Sequence, residues 1–187
     1  MDAIEKAFQT IHREDFVPKN LRYGAYIDTP LPIGYGQTIS QPSTVKNMLR
    51  WLNVKPGQKI MDVGSGSGWT TALLSRLVGL NGKVFAVEII PELVKFGRSN
   101  CKKSGIRNAE FHQAGKDYGL PELAPFDRIL VSASARQLPT KLIDQLKEGG
   151  KLVIPVLESI LEITKTSEKN FETVTHPGYV FVPLIQG

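Results

Sequence analysis

The alternation of apolar and polar positions divides the chain into three regions. In "DAIEKAFQTIHRED", Ile4, Ala7, Phe8 and Ile11 recur at helical spacing, which predicts an amphipathic helix at the start. The following stretch, "VPKNLRYGAYIDTPLPIGYGQTISQPS", is rich in proline and glycine and has no period, so it reads as a long loop. A second helix should then begin at a Ser43 cap and bury Val45, Met48, Leu49 and Leu52.

Beyond "KPGQ" the pattern changes. The β-rich runs "KIMDVG", "KVFAVEI", "AEFHQA", "RILVSAS" and "KLVIPV" alternate with helical segments near Thr70–Val78, Pro91–Lys103 and Pro139–Leu146. Such alternation predicts βαβ units and a parallel sheet covered on both faces. Gly79, Gly105 and Gly149 fall where the helices should end. In the tail, "ILEITKT" and "YVFVPLI" are strand-like with no helix between them, which predicts a closing antiparallel hairpin. The expected organisation is one α/β domain over 1–187. It comprises an N-terminal cap and loop (1–54), a βαβ core (55–157) and a C-terminal hairpin (158–187).

Composition narrows the function classes only slightly. The chain has 187 residues, 41% of them hydrophobic and 22% charged, with a net charge of +5. This suits one sizeable soluble core. The basic charge is spread without long runs, so nucleic acid is not expected as a partner. There is 1 cysteine, the 3 histidines are scattered, and no apolar run would span a bilayer. A disulfide, a metal site and a membrane partner are therefore not expected, and a reducing cytoplasm is the expected compartment.

The candidate chemistry lies in "KIMDVGSGSGW". The spacing fits neither a phosphate-binding P-loop, which needs Lys-Ser/Thr after its glycines, nor the G-x-G-x-x-G dinucleotide fingerprint. What remains is D-x-G-x-G-x-G, from Asp62 to Gly68, at the carboxyl end of the first core strand. An acid before the loop disfavours a pyrophosphate and suits a ligand carrying a cation. Glu88 ends the next strand, where an acid grips ribose hydroxyls. A ribose, an amino-acid cation and no phosphate together describe S-adenosyl-L-methionine. The competing reading is a tight turn followed by a solvated Glu88.

The fourth-strand loop, "VSASARQLP", lacks the Asn/Asp-Pro-Pro-aromatic clamp of many amino-group methyltransferases. No histidine or cysteine near the loops serves as base or nucleophile. A carboxylate acceptor is consistent with that, because it is already ionised at neutral pH.

The chain resembles the protein-L-isoaspartate O-methyltransferases. The resemblance runs from "REDFVP" through "AYIDTPLPIGYGQTISQPSTV", "MDVGSGSGW" and "APFDRILVSASARQLPTKLIDQLKEGGKLVIPV" to "GYVFVPL". It implies a Rossmann-like class I methyltransferase fold with a mostly parallel seven-stranded sheet. It also implies methylation of isoaspartyl carboxylates in damaged proteins and peptides, and a monomer is the expected state. Ser40 matches the family's active-site serine, with Thr38 and Ile39 beside it on the acceptor. Gln37, Thr38, Asp62, Val63, Gly64, Ser65, Gly66, Gly68, Glu88, Ile89, Gly115 and Lys116 fall at cofactor positions. A turn or cap role remains the competing reading for Ser40 and for Thr38.

The chain departs from the family at Tyr35, where histidine is frequent, and at Ala114-Gly115-Lys116, where Gly-Asp-Gly supplies an acid to the adenine. Asp117 is the nearest substitute. These departures keep two further readings open: a methyltransferase for RNA or a small molecule, and a non-catalytic relative. Phe126 and Trp69 read as core, and Asp127 as a turn residue.

Overall fold

The computed structural model describes residues 2–185, so residues 1, 186 and 187 of the expected terminal segments lie outside it. Helix α1 (Ala3–Thr10) is capped by Asp2, whose Oδ1 accepts from Glu5 N at 2.8 Å. Short 3-10 turns follow at Arg13–Phe16 and Lys19–Gly24. The stretch expected to be pure loop then forms a small antiparallel hairpin, β1 (Leu31–Gly34) and β2 (Gln37–Ile39). Its turn uses left-handed backbone at Tyr35 and Gly36, with φ of 55° and 70°. The strands are too short to show a period.

Helix α2 (Pro42–Leu52) buries Val45, Met48, Leu49 and Leu52 as expected. It begins two residues earlier than a Ser43 cap requires, with Pro42 in its first turn. The cap comes from a distant residue, since Ser43 N donates to Asp28 Oδ1 at 2.8 Å.

The core elements are β3 (Lys59–Val63), α3 (Trp69–Val78), β4 (Lys83–Glu88), α4 (Pro91–Lys103), β5 (Ala109–Gln113), β6 (Phe126–Val131), α5 (Thr140–Asp144), β7 (Leu146–Val156), β8 (Ser159–Lys165) and β9 (Phe171–Pro177). They build one seven-stranded sheet in the order β5-β4-β3-β6-β7-β8-β9. The strands from β3 to β7 pair in parallel, and β8 and β9 add antiparallel. The mostly parallel seven-stranded sheet with a closing antiparallel element is the expected fold class. Because helices cover both faces, the central strands read as continuous apolar runs, and Ile60, Met61, Ile129 and Leu130 are 0% exposed. Helices α1 to α4 pack on one face and α5 on the other.

Two details of the tail differ from expectation. The second strand of the hairpin is Phe171–Pro177, and "YVFVPLI" runs on outside the sheet as an extended strap. The strap's backbone is held where Tyr179 N donates to Glu158 O at 3.1 Å, and at the loop after β6, where Ser134 N donates to Val182 O at 2.7 Å and Leu184 N to Ser134 O at 2.8 Å. Gly149 lies inside β7 rather than at a helix end. Gly79 and Gly105 do close α3 and α4. Phe126 is core, and Asp127 ties strands together by accepting from Lys59 N at 2.7 Å and Lys147 Nζ at 2.8 Å. Among the described residues, no helix is long and apolar enough to cross a membrane.

The strand order reverses between β3 and β6. Open α/β sheets bind ligands at the carboxyl ends of the strands beside such a reversal.

Candidate active site

The glycine loop is folded back over the end of β4. Gly64 N and Ser65 N both donate to Val87 O, at 2.9 and 3.1 Å. Glu88 is 6% exposed and clasps the loop with both oxygens: Gly66 N donates to Oε2 at 2.9 Å and Ile90 N to Oε1 at 3.0 Å. Each oxygen keeps a second lone pair for a ligand hydroxyl. Helix α4 braces the loop from below. Asn100 Nδ2 donates to Ser67 O at 3.0 Å, and Cys101 Sγ donates to Gly68 O at 3.3 Å. Burial, with a smaller contribution from Asp62, pushes the Cys101 thiol up to about 12, so it stays protonated and unreactive at neutral pH. Gly97 permits this approach, since a Cβ there would lie 2.9 Å from the Phe111 ring and 3.0 Å from Gly66 O.

Asp62 is 0% exposed beneath the loop, and Thr71 Oγ1 donates to its Oδ2 at 2.6 Å. Its Oδ1 has no partner among the described residues. Desolvation raises the carboxyl to about 7; the Thr71 hydrogen bond opposes this and the charge of Glu88 adds to it.

Three cavities surround the loop. A cleft lined by Val63, Gly64, Gly66, Glu88, Ile89 and Ala114 holds about 60 Å³, because Val182–Ile185 of the strap form its other wall. A pocket of about 20 Å³ lies between the glycine loop and the β2 segment, with Ser40, Ser65, Ser67 and Thr70 on its walls. A larger cavity of about 580 Å³ lies on the far side of β2, lined by Ser40, Ser43, Thr44, Asn47 and the strap from Tyr179 to Val182. Its walls carry no charged side chain. Thr38 and Ser132 line all three cavities.

The structure therefore brings together most of the candidate residues. Gln37 and Thr38 face the cleft, Ile39 and Ser65 the small pocket, and Ser40 both the small pocket and the large cavity. Four candidates lie elsewhere. Asp62 sits under the loop, and Gly68, which starts α3, is likewise on no cavity wall. Gly115 and Lys116 are exposed and line neither the cleft nor its neighbours. Asp117, the nearest substitute for an adenine acid, is paired instead with Lys141 at 3.1 Å on the surface. Ala114 supplies the wall at that corner.

Arg13 went unmarked in the sequence because its role depends on distant contacts. It is 3% exposed, and its guanidinium donates to Ala25 O at 2.7 Å, Thr29 O at 2.9 Å and Ser40 O at 3.0 Å. It also stacks over the Trp69 ring at 5.2 Å. Nothing in "HREDFVP" marks it, since Arg13 stands among His12, Glu14 and Asp15. Thr71, Gly97 and Asn100 were missed for the same reason, although a buried asparagine and glycine on one helical face of α4 mark a close approach.

These residues fit a nucleoside that carries an amino-acid end. Glu88 and the glycines form a cradle with carboxylate lone pairs left for hydroxyl donors, and a Cβ at Gly66 would lie 3.1 Å from the Ile33 side chain. Ser65 Oγ and Trp69 Nε1 are buried beside the small pocket without partners among the described residues.

The chain matches the protein-L-isoaspartate(D-aspartate) O-methyltransferase (PCMT) family over residues 1–187. It is 44% identical over 187 residues to a Methanopyrus kandleri protein-L-isoaspartate O-methyltransferase, covering 97% of this chain and 83% of that one. A Pyrococcus horikoshii protein of the same name is 40% identical over 189 residues, covering 98% of this chain and 85% of its own. The fold superposes on a Plasmodium falciparum isoaspartate methyltransferase crystallised with S-adenosyl-L-homocysteine. That match has a TM-score of 0.88 and 32% identity, and covers 100% of this chain and 92% of the other. The chain belongs to the protein-L-isoaspartate(D-aspartate) O-methyltransferase family.

Proposed function

We propose that the protein methylates the carboxylate of L-isoaspartyl residues in damaged proteins and peptides, with S-adenosyl-L-methionine as methyl donor. The observation that carries this reading is the shared wall. The cleft holding Glu88 and the cavity holding Ser40 meet at Thr38 and Ser132. Donor and acceptor enter from opposite sides and meet there.

Glu88, Gly64, Gly66, Val63 and Ile89 hold the nucleoside, with Gln37 and Thr38 closing over it. Ser65 and the small pocket take the amino-acid end, and Asp62 supports the loop through Thr71. Ser40, with Thr38 and Ile39, orients the acceptor. When bound, the cofactor supplies a methyl group on a cationic sulfur; an acceptor oxygen forms the new C–O bond, sulfur keeps the bonding pair, and no proton moves. The acceptor carboxylate is already ionised at neutral pH, so the protein's task is alignment and exclusion of water. No general base is required of it.

The neutral walls of the acceptor cavity favour this over an RNA substrate, whose phosphates call for Lys and Arg. A single domain acting as a monomer in the cytoplasm is the organisation that goes with this reading. The test incubates the protein with labelled cofactor and an isoaspartyl peptide beside its Asp twin. Label on the isoaspartyl peptide alone is expected; equal labelling of both, or none, would refute the reading.

A further inference from the structure

We propose that Ser132 is a second hydroxyl for the acceptor carboxylate, holding the oxygen that does not attack while Ser40 holds the group from the opposite wall. This rests on the function proposed above and assigns a residue to that same site.

Ser132 is the first residue beyond β6, at the reversal of strand order. Its backbone is fixed there, since Ser132 N donates to Val63 O at 2.9 Å. It lines the cleft, the small pocket and the acceptor cavity. Thr38 shares that position but is exposed and belongs to the short β2 strand, whereas Ser132 is anchored to the central sheet. The neighbouring Ser134 is already engaged: its Oγ donates to Leu157 O at 3.0 Å and its backbone holds the strap. No hydrogen bond of the Ser132 hydroxyl is found among the described residues, so it is available to a ligand.

The chemistry calls for such a group. A carboxylate brought into a cavity with no charged wall needs a donor for each oxygen, or its desolvation weakens binding. Fixing the idle oxygen also restricts the orientation of the attacking one. A hydroxyl on the rigid sheet achieves both, and it contributes no competing charge.

The experiment compares Ser132→Ala and Ser132→Thr with the wild type in three readouts. These are steady-state kinetics on an isoaspartyl peptide, calorimetric affinity for S-adenosyl-L-homocysteine, and affinity of the same peptide for the protein saturated with that compound. The alanine variant is expected to lose about tenfold in kcat/KM and about fivefold or more in peptide affinity, with affinity for S-adenosyl-L-homocysteine within about twofold. The threonine variant keeps the hydroxyl and should restore both peptide readouts. Unchanged peptide kinetics and affinity in Ser132→Ala would overturn the assignment, as would a loss of S-adenosyl-L-homocysteine binding as large as the loss of peptide binding. A wild-type protein inactive on the peptide would instead overturn the reaction proposed above, and the assignment with it.

Discussion

Arg13 Nη2 donates to the main-chain oxygen of Ser40 at 3.0 Å, so the backbone of Ser40 hangs on a buried cation twenty-seven positions earlier in the chain. The same guanidinium holds Ala25 O and Thr29 O, and burial lowers its pKa to about 10, which leaves it charged at neutral pH. One planar fork thereby sets the position of the segment from Ala25 to Ser40. Arg13→Lys keeps the charge but cannot reach these carbonyls together. Urea denaturation should show a loss of about 2–4 kcal/mol, and turnover should fall more than cofactor affinity does. Wild-type stability and turnover in this variant would contradict the hub.

Gly97 sets how closely α4 approaches the glycine loop. A Cβ there would sit 2.9 Å from the Phe111 ring and 3.0 Å from Gly66 O, so one of them must move. Gly97→Ala gains helix propensity yet is expected to destabilise the fold by about 1–3 kcal/mol, the usual cost of overpacking. Because Gly66 is bound to Glu88, calorimetry should also show S-adenosyl-L-homocysteine binding weakened by about tenfold. A variant as stable as the wild type would show that the helix has room to shift.

The difference between these residues and the legible ones is physical. The core strands showed themselves because burial on both faces leaves continuous apolar runs, and Glu88 because its distance from the glycine loop follows from the βαβ unit. β9 was hidden, since most of "FETVTHP" is exposed at the sheet edge and no apolar face repeats along it. "YVFVPLI" looked like a strand because its apolar side chains face the cavities and core, yet its backbone pairs with almost nothing. Arg13 and Gly97 act through contacts between remote segments, and Ser132 stands where three cavities meet, which no local spacing encodes.

The strap walls the cleft beside Glu88, the proposed cofactor site, to about 60 Å³, well short of the several hundred that a nucleoside ligand fills. Entry therefore requires Val182–Ile185 to move and then pack against the ligand. Leu184 N, bonded to Ser134 O at 2.8 Å, reports on this. Its hydrogen exchange is expected to slow by about tenfold or more when S-adenosyl-L-homocysteine saturates the protein. Identical exchange with and without the compound would remove the strap from the cofactor site.

Asp62 gives a pH dependence with a definite sign. Its folded-state pKa is raised to about 7, chiefly by desolvation, against about 3.9 in an unfolded chain. Between those values the folded protein holds a proton that the unfolded chain has lost. The stability it contributes is therefore fully present below the unfolded pKa and fades as pH rises through about 7. Asp62→Asn has no such proton, although its amide can still pair with Thr71. The unfolding free energy of the wild type minus that of the variant should thus fall between pH 5 and pH 8, by on the order of 2 kcal/mol. Urea titrations of both proteins at the two pH values measure this difference. A gap that stays constant would mean that the carboxyl is ionised throughout, with water or a neighbouring group reaching Oδ1.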